Sequence, residues 1–182
     1  SSVAITKINE TNIEYIQVGD CMIVAIYQDG THRVLTKDSI GYFDNVIRRH
    51  WIEAIQKGLK TQKEIRQAVT PIIRKNKKKM NKMNGYSVID GSDEANLFIE
   101  SGKINRMQLA ELLIFTDGLF MHEDINNYGE INPVDVVVEQ TQLVGIRAYM
   151  NYLQAIEDKD PECLRFIRFK KSDDKSAIHI LL

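Results

Sequence analysis

The sequence predicts an α+β fold in which sheet packs on sheet and helices lie outside. Three features predict it. Short apolar or alternating runs fall into two groups, before residue 36 and after residue 86. Between and after them lie paired stretches whose apolar residues recur every three or four positions. Turn residues such as Asp29-Gly30 join neighbouring runs closely enough for antiparallel pairing.

Val3 to Ile8, Asn12 to Val18 and Asp20 to Tyr27 are three strand-like runs, punctuated by Asn9-Glu10 and Gly19-Asp20, and Asp29-Gly30 leads into His32 to Leu35. An antiparallel meander follows from that spacing. Cys21 to Ile26 is apolar at every position, so that strand is expected to be covered on both faces. From Ser39 the period changes: Ile40, Phe43, Val46, Ile47, Ile52 and Ile55 form one helical stripe, which Gly58 stops. Thr61 and Glu64 form a capping box ahead of a second stripe of Ile65, Ala68, Val69, Ile72 and Ile73. Pro71 inside that stripe predicts a kink or division near Val69-Thr70.

Tyr86 to Ile89 and Leu97 to Glu100 read as two further strands, and Gln108-Leu109 leads into ELLIFTDGL at Glu111 to Leu119. There an uninterrupted apolar run, Leu112 to Phe115, reads as a strand buried on both faces that drops into Asp117-Gly118. Residues 120–134 form a polar connection. A helical stripe of Val137, Val144, Tyr149 and Leu153 runs within Val134 to Ile156, ends at Asp158 to Pro161, and is followed by Ser172 to Lys175 and a last strand, Ser176 to Leu182. No internal repeat is present.

With 43% hydrophobic and 27% charged residues among 182, and 24 Lys plus Arg against 25 Asp plus Glu, no overall field selects nucleic acid or an anionic membrane. The two cysteines, Cys21 and Cys163, lack metal or disulfide-scaffold spacing, so a reducing, cytoplasmic setting is expected. No apolar run approaches a membrane span, and the first residues lack a signal-peptide pattern. A strand pattern beginning at the second or third residue, with no initiator Met, leads to the expectation that the chain starts inside a longer domain. The one strong charge run contains Lys75, Lys77, Lys78, Lys79 and Lys82. It reads either as a solvated helix end or as a docking surface for an acidic or phosphorylated partner; with no interleaved aromatic residue, nucleic-acid binding is the weaker reading.

Three acidic motifs stand at strand termini: Gly19-Asp20, Thr116-Asp117-Gly118 and Asp173-Asp174. Each alone reads equally as a turn or helix cap. Together, carboxylates without His or Cys partners suit hard cations such as Mg2+ or Mn2+, and paired ions of that kind activate water against a phosphate ester.

Four segments resemble the metal-dependent Ser/Thr protein phosphatases of the 2C type. IQVGDCMIVAIYQDGTHRVLTKD is similar to the family's GDS strand pair and the T-x-D element after it, and NGYSVIDG to the strand after its flap. ELLIFTDGL is similar to the SDG or TDG motif, and SDDKSAIHIL to the terminal D-[ND]-x-[ST] strand. The resemblance implies a single phosphatase 2C-like domain over residues 1–182, corresponding to the carboxy-terminal portion and lacking the first strands of the β-sandwich. Residues 39–84 would be its helical, Lys-rich flap insert, where substrate choice is made. It implies Mg2+ or Mn2+ as cofactor, two ions with a third in some members.

In that scheme Asp117 is a ligand of the first ion and Asp173 the second acidic ligand of the same ion. Gly118 lets the backbone pass close to the metals. Asp20 contributes to the third, weaker site, and Cys21 departs from the usual Ser beside it. Asp174 falls where many members carry Asn and would hydrogen-bond near the site. The implied activity is hydrolysis of phosphoserine and phosphothreonine in proteins by a metal-activated water, in cellular signalling. The alternative is a non-catalytic phosphatase-like module that binds through its basic insert. The family's phosphate-gripping Arg, metal-bridging Asp-Gly pair and general-acid His have no match here. Asp29-Gly30 and Asp90-Gly91 stand at the wrong positions, and His32, His50, His122 and His179 lie outside the matching segment, where surface or packing roles are expected. An amino-terminal segment or a partner chain is therefore expected to complete the domain.

Overall fold

The protein is described here by a computed structural model covering residues 1–129 and 132–182. Two compact units emerge. The first comprises Ser1–Gly41, Lys79–Asp117 and Ser176–Leu182, and the second Tyr42–Lys78 and Gly118–Lys175.

The strands lie in the first unit. They are β1 (Val3–Ile8), β2 (Asn12–Val18), β3 (Met22–Tyr27), β4 (His32–Val34), β5 (Glu100–Asn105), β6 (Leu109–Phe115) and β7 (Ala177–Leu181). Every ladder is antiparallel, and the strands form two sheets, ordered β1-β2-β5 and β4-β3-β6-β7. Strand alternation sends Ile13 and Ile104 of the first sheet and Ile23, Ala25 and Leu112 of the second into one core, with Leu109 beside them. The expected sandwich of two antiparallel sheets is therefore present. The apolar strand β3 is buried from Met22 to Ile26 without alternation, as its composition requires. In β6, which pairs with both β3 and β7, Leu112 and Leu113 are wholly buried.

The helices α1 (Gly41–Gln56), α2 (Gln62–Lys77), α3 (Pro133–Val144) and α4 (Ile146–Lys159) belong to the second unit, apart from the first residue of α1. Ile47, Trp51 and Ala54 of α1 pack with Ile65 and Val69 of α2 and with Cys163 and Ile167 from the loop after α4. The buried Trp51 indole donates to the Cys163 carbonyl at 3.0 Å. Thr61 caps α2 as the sequence predicts: its hydroxyl accepts from Glu64 N and the Glu64 carboxylate accepts from Thr61 N.

Several expectations are corrected. Pro71 does not divide α2, which runs unbroken through it. Pro71 and Gln67, whose carbonyl loses its helical donor, are both exposed, so water can satisfy that oxygen. Ala68 is also exposed and off the buried stripe. Tyr86 to Ile89 is not a strand: Tyr86 makes an isolated bridge to Met80, while Ser87 N and Val88 N donate to the side chains of Ser39 and Asn81. Backbone donors taken by side chains cannot build a ladder. Leu97 and Phe98 belong to a 3-10 helix, Asp93–Phe98, and pairing with β2 begins only at Glu100.

The helical stripe from Val134 to Ile156 is two helices. Gly145, at φ 83°, stands between α3 and α4 in a region that side-chain-bearing residues avoid, and Val144 is half exposed. Of the polar connection at 120–134, residues 130 and 131 lie outside the described residues; Asp117–Leu119 and Ile125–Asn127 form short 3-10 turns. Among the described residues no helix is long and apolar enough to cross a membrane.

Truncating Leu112 to Ala removes a fully buried side chain from the sandwich core. The unfolding free energy is expected to fall by about 2–5 kcal/mol in urea titration. A loss below about 1 kcal/mol would show that the two sheets do not share this core.

Candidate functional site

Gly19-Asp20 is the turn between β2 and β3, and side chains that the sequence reading passed over hold it in place. The Gly19 carbonyl accepts from Gln17 Nε2 at 2.7 Å and from Ser39 Oγ at 3.0 Å, while Gly19 N donates to Ser87 Oγ at 2.9 Å. Gln17 and Ser87 are buried. A buried amide retained with its bonds made fixes a loop, because breaking them would strand polar groups. The periodicity of β2 gives no sign of this: Gln17 looks like an ordinary polar position in an alternating strand.

Asp117 follows β6 by two residues and opens a 3-10 turn. The antiparallel ladder ends at the pair Met22 and Phe115, so Asp20 and Asp117 both lie just beyond the same end of it. The ladder end is anchored on its other side too, with Thr116 N donating to Ser176 O at 3.0 Å and Ser176 N to Thr116 Oγ1 at 3.2 Å. Cys21 follows Asp20 directly and is buried. Burial pushes its thiol pKa up, and the charges of Asp20 and Asp117 push it further. The thiol is thereby kept protonated.

Gly118, Asp173 and Asp174 lie in the second unit. Gly118 is not at positive φ, so conformational freedom is not its role. A Cβ there would collide with the Asp174 carbonyl, and the need for glycine is close backbone approach. Beside it, the buried Tyr149 hydroxyl donates to Leu119 O at 2.9 Å. Asp173 Oδ1 accepts from Asp174 N at 2.8 Å and pairs with Lys170 Nζ at 2.6 Å. Of the basic run, Lys75, Lys77 and Lys78 end α2 and its cap in the second unit, whereas Lys79 and Lys82 belong to the first; all but Lys79 are exposed.

Sequence reasoning missed a buried charge cluster in the second unit. Glu157, with no exposed surface, accepts from Lys175 Nζ on both oxygens at 2.8 Å and from His122 Nε2 at 2.7 Å. Nearby, Arg168 pairs with Asp160 at 2.9 Å. His122 is therefore a buried, hydrogen-bonded histidine. His50 pairs with Glu53 in the second unit, and His179 with Glu111 across the sheet in the first. Glu157 falls on the buried face of α4 with Tyr149 and Leu153, an acid in an apolar stripe that the sequence pattern passed over, and its partners are 35 and 18 residues away.

The oxygen-rich donors Asp20 and Asp117, beside a thiol kept neutral, fit a hard divalent ion, which Mg2+ chemistry allows with one or two carboxylates and several waters. They do not suit a thiolate-seeking metal. Among the described residues no group of three or more His, Cys, Asp or Glu side chains is placed to share one ion. Asp117 closes the first unit, and Asp173 and Asp174 belong to the second.

No family model matches this chain, and no curated protein matches its sequence. Among solved structures it is similar to a bacterial serine phosphatase, at 11% identity and TM-score 0.48, and to the serine-threonine phosphatase 2C from Toxoplasma gondii, at 12% identity and TM-score 0.49. In both cases the likeness covers 99% of this chain and 57% of the other. The chain thus spans little more than half the length of the structures it matches.

The buried cluster has a pH signature. Burial lowers the His122 pKa below its ordinary 6.5, outweighing the hydrogen bond and charge of Glu157. In the window below 6.5 the unfolded chain binds a proton that the folded chain refuses, so stability falls as pH falls. Burial raises the Glu157 pKa, but hydrogen bonds from Lys175, His122 and Ser172 overcome it and leave the carboxyl below 4.5. That contribution is present above 4.5 and is lost as pH drops through the folded value. Denaturant titrations from pH 7.5 to 4 are expected to show a first loss beginning near 6.5, absent in His122→Gln; an unchanged slope in that variant would refute the assignment.

Proposed function

We propose that this chain is the metal-holding part of a metal-dependent protein phosphatase that acts on phosphoserine and phosphothreonine. The observation that carries the reading is that Asp20 and Asp117 both stand just beyond the same end of the β3–β6 ladder. Two carboxylates held near one another repel, and a divalent cation relieves that repulsion. Asp117 and Asp20 would hold Mg2+ or Mn2+ through carboxylate oxygens. Asp173 would serve as a further acidic metal ligand, and Asp174 would act by hydrogen bonding beside it. When bound, such an ion lowers the pKa of a coordinated water and stabilises charge on the phosphate oxygens. Gly118 contributes the absence of a side chain, and Cys21 a neutral, buried wall.

The two-ion form of this chemistry needs a bridging carboxylate and a phosphate-binding Arg. The proposal therefore includes an amino-terminal segment or partner chain that supplies them. Lys75, Lys77, Lys78, Lys79 and Lys82 are proposed to dock the acidic surroundings of a phosphorylated protein, with the helical 39–84 segment setting substrate choice. Two buried free cysteines support a reducing, cytoplasmic setting.

A second reading, a non-catalytic phosphatase-like module that binds partners through the basic segment, is favoured by the Lys170 ion pair on Asp173, which neutralises that acid without a metal. Activity decides between them. The full-length protein is expected to hydrolyse p-nitrophenyl phosphate only with Mn2+ or Mg2+. Asp117→Asn should lower kcat/KM by about 10²–10³-fold, the loss typical when one charge-stabilising group is removed; full activity in that variant would discard the enzyme reading. Reversing Lys77 and Lys78 to Glu should raise KM for a phosphoprotein while leaving kcat on p-nitrophenyl phosphate unchanged. Equal KM values in the two proteins would remove the docking role.

A further inference from the structure

A carboxylate with no exposed surface is costly to bury unless its oxygens are hydrogen-bonded. Glu157 on α4 meets that requirement with groups from two separate turns. His122 lies four residues after Gly118 and donates to Oε1 at 2.7 Å. Lys175 follows Asp173-Asp174 and donates to both oxygens at 2.8 Å. The Lys175 ammonium, itself almost fully buried, also reaches back into its own turn, to the Asp173 carbonyl at 3.1 Å and to Ser172 Oγ at 3.3 Å. On the far side, the Glu157 carbonyl accepts from Arg168 Nη2 at 3.0 Å, and Arg168 is fixed by Asp160.

The turn carrying Asp173 and Asp174 belongs to no helix or strand, so ladder hydrogen bonds do not order it. It is shaped by the Lys175 ammonium, by the Lys170 ion pair on Asp173 Oδ1 at 2.6 Å, by the Asp174 N–H bond to the same oxygen, and by the approach of the Asp174 backbone to Gly118. Remove the Glu157 charge and the ammonium is buried without a counterion; it must then lose its proton or move out, and either change loosens its hold on the Asp173 carbonyl.

We propose that Glu157 is a positioning residue: through Lys175 it holds the Asp173-Asp174 turn, and through His122 the segment after Gly118, so that the Asp173 carboxylate is presented in one conformation. For Asp173 the role rests on the metal-site reading given above. A buried ion pair that served stability alone could be replaced by apolar groups of similar volume at little cost. Glu157 differs because its cation makes two further bonds inside the turn that it orders.

The test compares full-length wild type, Glu157→Gln, the double variant Glu157→Gln with Lys175→Met, and Asp173→Asn. Metal-free hydrogen exchange of residues 172–175 and 118–122 is measured beside thermal stability and Mn2+ affinity. Glu157→Gln is expected to speed exchange in both segments and to weaken Mn2+ binding about 10–100-fold, the usual consequence of losing a group that orients a ligand. The double variant, with no unpaired charge, is expected to regain thermal stability yet keep fast exchange and weak Mn2+ binding. Wild-type exchange in either Glu157 variant overturns the positioning role, whatever the metal result. Mn2+ affinity untouched by Asp173→Asn overturns instead the metal reading on which that role rests, so the two failures are told apart.

Discussion

The pairing of β3 with β6 is the constraint on which the rest of this structure depends. Both strands are apolar almost throughout, and side by side they bury one another's edges while their inward residues meet the first sheet. One register satisfies these demands, because a slip by one residue would turn every side chain to the opposite face. The same register brings Asp20 and Asp117 to the same ladder end. The acid pair is thus a consequence of core packing: the hydrophobic pattern sets the strands, and the strands set the carboxylates.

A different device orders the second unit. Its core around Trp51 and Cys163 is apolar, but the segments after Gly118 and before β7 are short and polar, with little surface to bury. Buried charges do the ordering there. Glu157 gathers His122 and Lys175, and Arg168 binds Asp160 and the end of α4. Such clusters are expensive to desolvate and intolerant of a missing partner, which makes them selective for one loop conformation. Turns that must present charged groups in a fixed geometry benefit from that selectivity more than from bulk stability.

Strand and helix identity was legible wherever hydrophobic period and length agreed: in β1 to β4, β6 and β7, in α1 and in the capped start of α2. It failed where hydrogen bonding overrode propensity. Val88 and Ile89 look β-prone, yet Asn81 and Ser39 claim the donors of Val88 and Ser87. The stripe through Val144 ignored the positive φ of Gly145, and Pro71 was tolerated because its turn of helix faces water. Likewise, the acidic motifs could be picked out as strand-terminal carboxylates, but Gln17, Ser39 and Ser87, which brace one of them, could not.

By itself the sequence determined which stretches are strands and helices and which acids stand at their ends, because periodicity and turn chemistry are local properties. Only the tertiary structure decided that Asp20 and Asp117 stand beyond one end of the same ladder, that Gly118 is needed for lack of bulk and not for its backbone angles, and that Glu157 joins two distant turns. Those facts depend on register and on burial of charge. Neither is written in any short window of residues, since each arises from groups brought together only when the chain has folded.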